Sequence, residues 1–326
     1  MWKYVARRVL ASIPVLLLAS VLIFLLVREF GADPARQRCQ ASRDGECITR
    51  VREELGLDRS LPAQYVDEMR NFVTGQWGES QRSDRSVSEL IGDAMRETVP
   101  LAFWAVLVSL VAAVVVGVTS ARHPGSVRDY TFTVLAFAGI AMPTFWLGLL
   151  MIQLFTYELQ QMLGLSEPVF YSIPNPIGSG WVDSARELAL PVFVLSVQLI
   201  AGWSRYQRAA LSDELHGDHI RTARAKGLSE RRVVWKHGMR SSSTSLVTVV
   251  AIDAGALIGG VVVTERVFSR PGMGTLLLAA LRDGDTNVLI PWMLIAGIAV
   301  ILANLVADVA YAALDPRVRL AGGSAT

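Results

Sequence analysis

Asp218-His-Ile-Arg-Thr-Ala-Arg-Ala-Lys-Gly-Leu-Ser-Glu-Arg-Arg232 is a short basic segment lying between two stretches apolar enough to cross a membrane. The pattern predicts a helix from about Asp218 to Ala225 that ends at Gly227, where a left-handed glycine closes the last turn. Its cations cannot enter hydrocarbon, because Arg or Lys at the centre of a membrane helix costs about 2.5–3.5 kcal/mol on insertion scales. The nine Lys and Arg between Arg205 and Arg240 therefore stay on the cytoplasmic side and offer a docking surface there.

The composition agrees with a membrane setting. The 326 residues are 52% hydrophobic and 18% charged, with a mean hydropathy of +0.39; a soluble domain carries about 25% charge. A crossing needs about 20 largely apolar residues, and six segments are expected to supply one. Val9–Val27 and Thr98–Ala121 are uncharged, and Tyr130–Tyr157 is interrupted by Pro143. Leu188–Ser204 is uncharged but short, Ser241–Thr264 holds Asp253, and the last runs from about Thr286 to Ala313 with Asp308.

Lys3, Arg7 and Arg8 precede the first span and place the N-terminus inside. The cytoplasmic pieces are then Arg122–Asp129, the 205–240 loop with nine basic residues against four acids, and a tail carrying Arg317 and Arg319. Gly31–Glu97, with ten Arg and thirteen acids, is the long external region; long loops translocate largely regardless of charge. The expected fold is all-α and polytopic, with both termini cytoplasmic. Residues 1–30 form the tail and first helix, 31–97 a small helical extracytoplasmic region, and 98–326 a five-helix core with its cytoplasmic loop at 205–240. A cleaved signal peptide is the other reading of the N-terminus. However, the apolar run has 19 residues, and Arg28-Glu-Phe30 follows it without a small-x-small site.

Cys39 and Cys47 fall in the external region. In an oxidising compartment they are either a disulfide closing a small loop or two unpaired thiols. Pro62 suits the first turn of a helix, and Tyr65, Met69, Phe72 and Val73 follow at helical spacing. Packing against the protein's own spans is the expected use of that face.

Enzymatic chemistry is not visible. No G-x-x-x-x-G-K-[ST] phosphate cradle occurs, so no ATP site is expected on this chain. His216 and His219 lack the spacing of a metal site, and no catalytic residue is assigned. Transport is what remains. Asp253 lies mid-span, where an acid either faces a water-filled path or is hydrogen-bonded to a neighbouring helix. Gly255-Ala-Leu-Ile-Gly259 permits close helix approach. Pro143, with Phe145 and Trp146 behind it, should kink the third span and is a second candidate for the pathway.

The basic loop Ile220–Arg232 resembles the coupling segment of the membrane subunits of ABC importers, in their dipeptide/oligopeptide/nickel branch. Met1–Arg8, the stretch Glu265-Arg-Val-Phe-Ser-Arg-Pro-Gly-Met-Gly274 and the closing Leu314-Asp-Pro-Arg-Val-Arg319 are similar to that branch too. The long loop after the first helix is similar to the larger, first-type permease subunit. The general family's Glu-Ala-Ala-x-x-x-Gly is Arg221, Thr222 and Ala223 before Gly227 here, and Ser245 stands where the branch often carries proline. Basic replacement of this kind is usual in that branch.

The resemblance implies a bacterial plasma (inner) membrane permease for short peptides. Its partners would be a second homologous permease subunit, two cytoplasmic ATPase subunits and an extracytoplasmic binding protein, with no nucleic acid. ATP and Mg would bind to the ATPases, and this chain would bind no cofactor. Asp218, Ile220, Arg221, Thr222, Ala223, Arg224, Ala225, Lys226 and Gly227 would couple to the ATPase. Ile220 would be the apolar anchor, Ala223 and Ala225 would permit close contact, and Arg221, Arg224 and Lys226 would pair with acids on the groove rim. Alternatives are a permease for nickel chelates or other small solutes, or a stand-alone ion-coupled transporter. The last typically shows paired broken helices in inverted repeats, and no second broken helix matches the third.

Overall fold

The computed structural model describes residues 2–31, 33, 35, 36, 39, 45–174 and 180–314. The closing stretch Asp315–Arg319, with Arg317 and Arg319, lies outside the described residues. Among the described residues the chain is helical, apart from one isolated antiparallel bridge between Glu79 and Ser86. Among the described residues four helices are long and apolar enough to cross a membrane: Val5–Phe30, Val87–Arg122, Trp181–Leu215 and Thr286–Ala310. Helix Val127–Ala141 and the stretch Thr144–Leu163 make a fifth if counted as one broken span, and they meet at 103°.

Six spans were expected, and the remaining candidate is the 22-residue helix Met239–Gly260, in which the hydroxyl run Ser241–Ser245 and Asp253 accompany the apolar residues. The third span is more than kinked. Met142 and Pro143 are both extended, with ψ of 121° and 131°, so the helix stops and restarts rather than bending through. The fourth is longer than its apolar core. Trp181–Leu215 runs for 35 residues because its charged ends find partners. Arg186 donates to the carbonyls of Pro168 and Val169 and lies 4.5 Å over the Tyr171 ring.

The chain divides into two compact units. One comprises Leu10–Thr98 and Pro271–Ala299. Its core gathers Val27, Val87, Ile91, Met273, Leu289 and Trp292. Helix Leu61–Thr74 carries Pro62 in its first turn and ends at Gly75 in the left-handed conformation. Its Tyr65 hydroxyl is 2.7 Å from Ser20 Oγ, with the ring edge-on to Phe24, while Met69 and Phe72 pack on the core. Val73 faces away, 83% exposed. A disulfide joins Cys39 to Cys47. The unit is tied by Asp285, whose buried carboxylate accepts from Ser80 Oγ at 2.6 Å and from the Gln81 amide at 3.0 Å. The same carboxylate caps the last helix through the Val288 amide.

The other unit comprises Met1–Val9, Val99–Arg270 and Val300–Thr326. Trp181–Leu215 is its axis, with Val127–Ala141 and Met239–Gly260 against it. Glycines set the closest approaches. A Cβ on Gly117 would meet Gln207 Cβ at 2.8 Å, and one on Gly148 would meet Val267 Cγ1 at 2.8 Å. Gly255 brings its helix to Val300, where an added Cβ would lie 3.4 Å from that residue's Cα. Several polar side chains between the helices are paired with one another, which lowers the cost of holding them in a medium without water. Trp203 Nε1 donates to Asp253 Oδ2 at 2.7 Å, and Gln207 Nε2 donates to Ser242 Oγ at 3.1 Å. Arg208 grips both oxygens of Asp129 at 2.7 Å. Asp308 pairs with Arg8 at 2.9 Å.

Two stability outcomes follow. Asp285→Ala strands the Ser80 hydroxyl and removes a helix cap. The expected loss is about 1–3 kcal/mol, read as a lower thermal midpoint in detergent; an unchanged midpoint contradicts the tie. Arg208→Ala leaves Asp129, whose side chain is 4% exposed, without its guanidinium. Because the Arg208 side chain is itself 42% exposed, the expected loss is again about 1–3 kcal/mol rather than the full cost of a buried orphan. Adding Asp129→Asn should recover part of that loss, and a strictly additive double variant would refute a direct pair.

Candidate functional site

The segment Asp218–Ala225 is an eight-residue helix, with Gly217 extended before it. The Gly227 N–H donates to the Arg224 carbonyl at 2.9 Å, and Gly227 takes a φ of +77°, which closes the helix. Thr222 Oγ1 donates back to the Asp218 carbonyl at 2.9 Å.

The helix has two faces. Ile220 is 0% exposed and Ala223 is 6% exposed, packed with Val118, Ala121, Leu211, Leu215, Val233 and Val234. Burying an isoleucine side chain contributes about 1.5–3 kcal/mol, so the helix is pinned to the ends of Val87–Arg122 and Trp181–Leu215. This corrects the expectation that Ile220 anchors in a partner and that Ala223 meets it. The nearest apolar surface belongs to the chain itself, and a three-residue spacing turns both side chains onto it. Asp218, Arg221, Thr222, Ala225 and Lys226 remain exposed.

Arg224 is also engaged within the loop. Its Nε donates to Glu230 Oε1 at 2.7 Å, and Nη1 reaches the Leu215 carbonyl at 3.4 Å. The hydrogen bond from Arg224 is the main reason the Glu230 carboxyl sits below its usual range; slight burial opposes this, and the charges of Arg224 and Arg122 add to it. The pair's contribution is therefore complete above the ordinary glutamate range and is lost as pH falls through the lowered value. Arg221 makes only a loose, exposed contact with Asp218 at 3.5 Å. His219 faces Glu214 at 3.1 Å, and His216 Nδ1 lies 2.7 Å from the Ser212 carbonyl oxygen.

Beyond Gly227 the chain makes a wide π-helical turn over Val233–Gly238. Val233 and Val234 point inward, 0% and 1% exposed. On the opposite side Ser229, Arg231, Arg232, Trp235 and Lys236 line an open hollow of about 490 Å3. The spacing Arg231, Arg232, Trp235, Lys236 is that of one helical face, a signal present in the sequence but unused above.

Within the spans a second concavity of about 250 Å3 lies beside Asp253. Gln198, Gly202 and Trp203 form one wall, and Asp253, Ala256 and Leu257 form the other. Pro143, Phe145 and Trp146 do not line it. Pro143 precedes the restarted helix, and Phe145 and Trp146 are 53% and 48% exposed. The link between the two places is Gln198, whose Nε2 donates to the Met142 carbonyl at 3.2 Å.

Two family models match the chain. Residues 113–320 match the binding-protein-dependent transport system inner membrane component, and residues 1–102 match the N-terminal part of such membrane components. The glutathione transport system permease protein GsiC of Escherichia coli (strain K12) is 36% identical over 328 residues, covering 98% of this chain and 99% of that protein. GsiC of Shigella dysenteriae serotype 1 (strain Sd197) is similar to the same extent. The chain belongs to the inner membrane components of binding-protein-dependent transport systems, and it is a permease subunit of an ABC importer.

Proposed function

We propose that this permease imports short peptides, glutathione-like tripeptides among them, by ATP-driven alternation between inward and outward opening. The peptide class is supported by the relatives that carry glutathione in their names and by the motifs of the peptide branch. The assembly proposed is a second homologous permease subunit beside this one, two ATPase subunits carrying ATP and Mg on the cytoplasmic side, and an extracytoplasmic binding protein. Both termini and the 205–240 loop face the cytoplasm in this arrangement.

One observation carries the coupling mechanism: the helix Asp218–Ala225 is fixed on its inner face and bare on its outer face. Ile220 and Ala223 bind it to two spans, so a displacement of the helix is a displacement of their ends. Arg224–Glu230 braces it against the following turn. The outer stripe of Asp218, Arg221, Thr222 and Ala225, with Lys226 beside it, is what a groove on a moving ATPase would hold. Thr222 and Ala225 are small enough for close contact there. The two-state bundle then follows the ATPase because the differential contact lies at this helix.

The test uses the two faces separately. Ala225→Glu places a bulky anion on the exposed stripe without entering the core. ATPase co-purification and ATP-driven uptake should both fall at least about tenfold, with the thermal midpoint of the isolated permease unchanged. Ala223→Glu, by contrast, should lower that midpoint itself, since it buries a charge among valines and leucines. Normal uptake and ATPase retention by Ala225→Glu would remove the lever mechanism.

A further inference from the structure

Asp253 is the sole acid on helix Met239–Gly260, and it is half-buried beside the 250 Å3 cleft. A carboxylate there costs about 2.5–3.5 kcal/mol on insertion scales, so holding the Trp203 indole N–H is a poor account of it. A hydroxyl or a backbone carbonyl accepts such a bond without a charge. The indole donates to Oδ2, which leaves Oδ1 for the cleft.

The remaining wall is of matching character. Gln198 gives one Nε2 hydrogen to the Met142 carbonyl, which leaves Oε1 as an acceptor beside the second N–H. The lining contains no Lys or Arg, and the indole N–H and one Gln198 N–H are already engaged. Gly202 keeps the floor open, since a Cβ there would meet no atom within 4 Å. A cleft offering acceptors and one negative charge, inside an apolar bundle, selects a cationic donor. Its volume lies below the range of about 300–1,000 Å3 typical of whole-ligand pockets, so it fits one end of a solute.

We propose that this cleft contacts the ammonium group of the transported solute, with Asp253 Oδ1 and Gln198 Oε1 as acceptors. The inference rests on the peptide reading above, because a peptide presents a terminal ammonium and a passing contact of this kind favours it without trapping it. Trp203 acts as a positioning residue that fixes the rotamer of the acid.

The assembled importer, with its binding protein and ATPases in sealed vesicles, is supplied with alanylalanine or N-acetyl-alanylalanine at concentrations that saturate the binding protein with each. The wild type should transport the free amine faster. Asp253→Asn should shrink that preference about tenfold, the factor carried by one charge-assisted hydrogen bond, and Gln198→Leu should shrink it by a smaller factor. An unchanged preference in both variants overturns the proposal. So does an equal loss for both solutes in Asp253→Asn with Gln198→Leu unaffected, which would make the acid a structural clamp. Should Asp253→Asn fail to assemble, the exposed Gln198 position decides alone. Absence of ATP-driven uptake of either solute by the wild type is a different failure, that of the peptide reading itself.

Discussion

The burial of Ile220 and Ala223 against the ends of two membrane helices is the contact on which the coupling loop depends. A basic loop held only by its charges would be solvated and mobile, because exposed ion pairs contribute about 0–1 kcal/mol each. Two inward apolar side chains change that. They give the loop a fixed orientation and leave a defined outer stripe, as the proposed lever requires. Leu211 and Leu215 extend the contact along Trp181–Leu215, and Val118 and Ala121 extend it along Val87–Arg122.

The same helix, Trp181–Leu215, organises the unit above the loop. Trp203, Gln207 and Arg208 lie within two turns of one another, and each reaches a different partner: Asp253, Ser242 and Asp129. In lipid an unpaired polar group costs several kcal/mol, so each pairing also fixes a register between helices. Gly117 lets Val87–Arg122 approach at the level of Gln207. Close approach and polar pairing thus coincide, and the packing there has few alternatives. Asp253 stands apart within this set because it also lines a cleft.

Much of the coupling loop was legible from residue types alone. A charge run that cannot cross a membrane, a glycine suited to positive φ and the Ala and Arg residues before it marked its ends at Asp218 and Gly227. What these residues could not reveal was the surface that covers Ile220. An amphipathic stripe specifies that one face is apolar, and whether that face meets a partner or the chain itself is decided by residues as distant as Val118. The Trp203–Asp253 bond was hidden for the same reason, with its members fifty residues apart. Pro143 announced a kink, but the 103° turn also needs extended backbone at Met142 and the close seat of Gly148 on Val267. The fourth span was read short because Glu187 and Arg205 look like boundaries, although Arg205 lies 4.8 Å over the Phe137 ring and the nearby Arg186 and Arg208 find partners within the fold.

The basic hollow at Arg231, Arg232, Trp235 and Lys236 invites a lipid explanation, since Trp and Arg gather at membrane interfaces. Distance argues otherwise. The hydroxyl run Ser241–Ser245 delays the continuous apolar stretch of helix Met239–Gly260 to Leu246, eleven positions after Trp235. At about 1.5 Å per residue this is roughly 16 Å along the axis, whereas the headgroup zone is only about 5–8 Å thick on each side. A hollow set that far from the apolar stretch would lie past the headgroups, on the side where the ATPase is proposed to receive the outer stripe of Asp218–Ala225. Val233 and Val234 fix its cations from behind as Ile220 and Ala223 fix the helix.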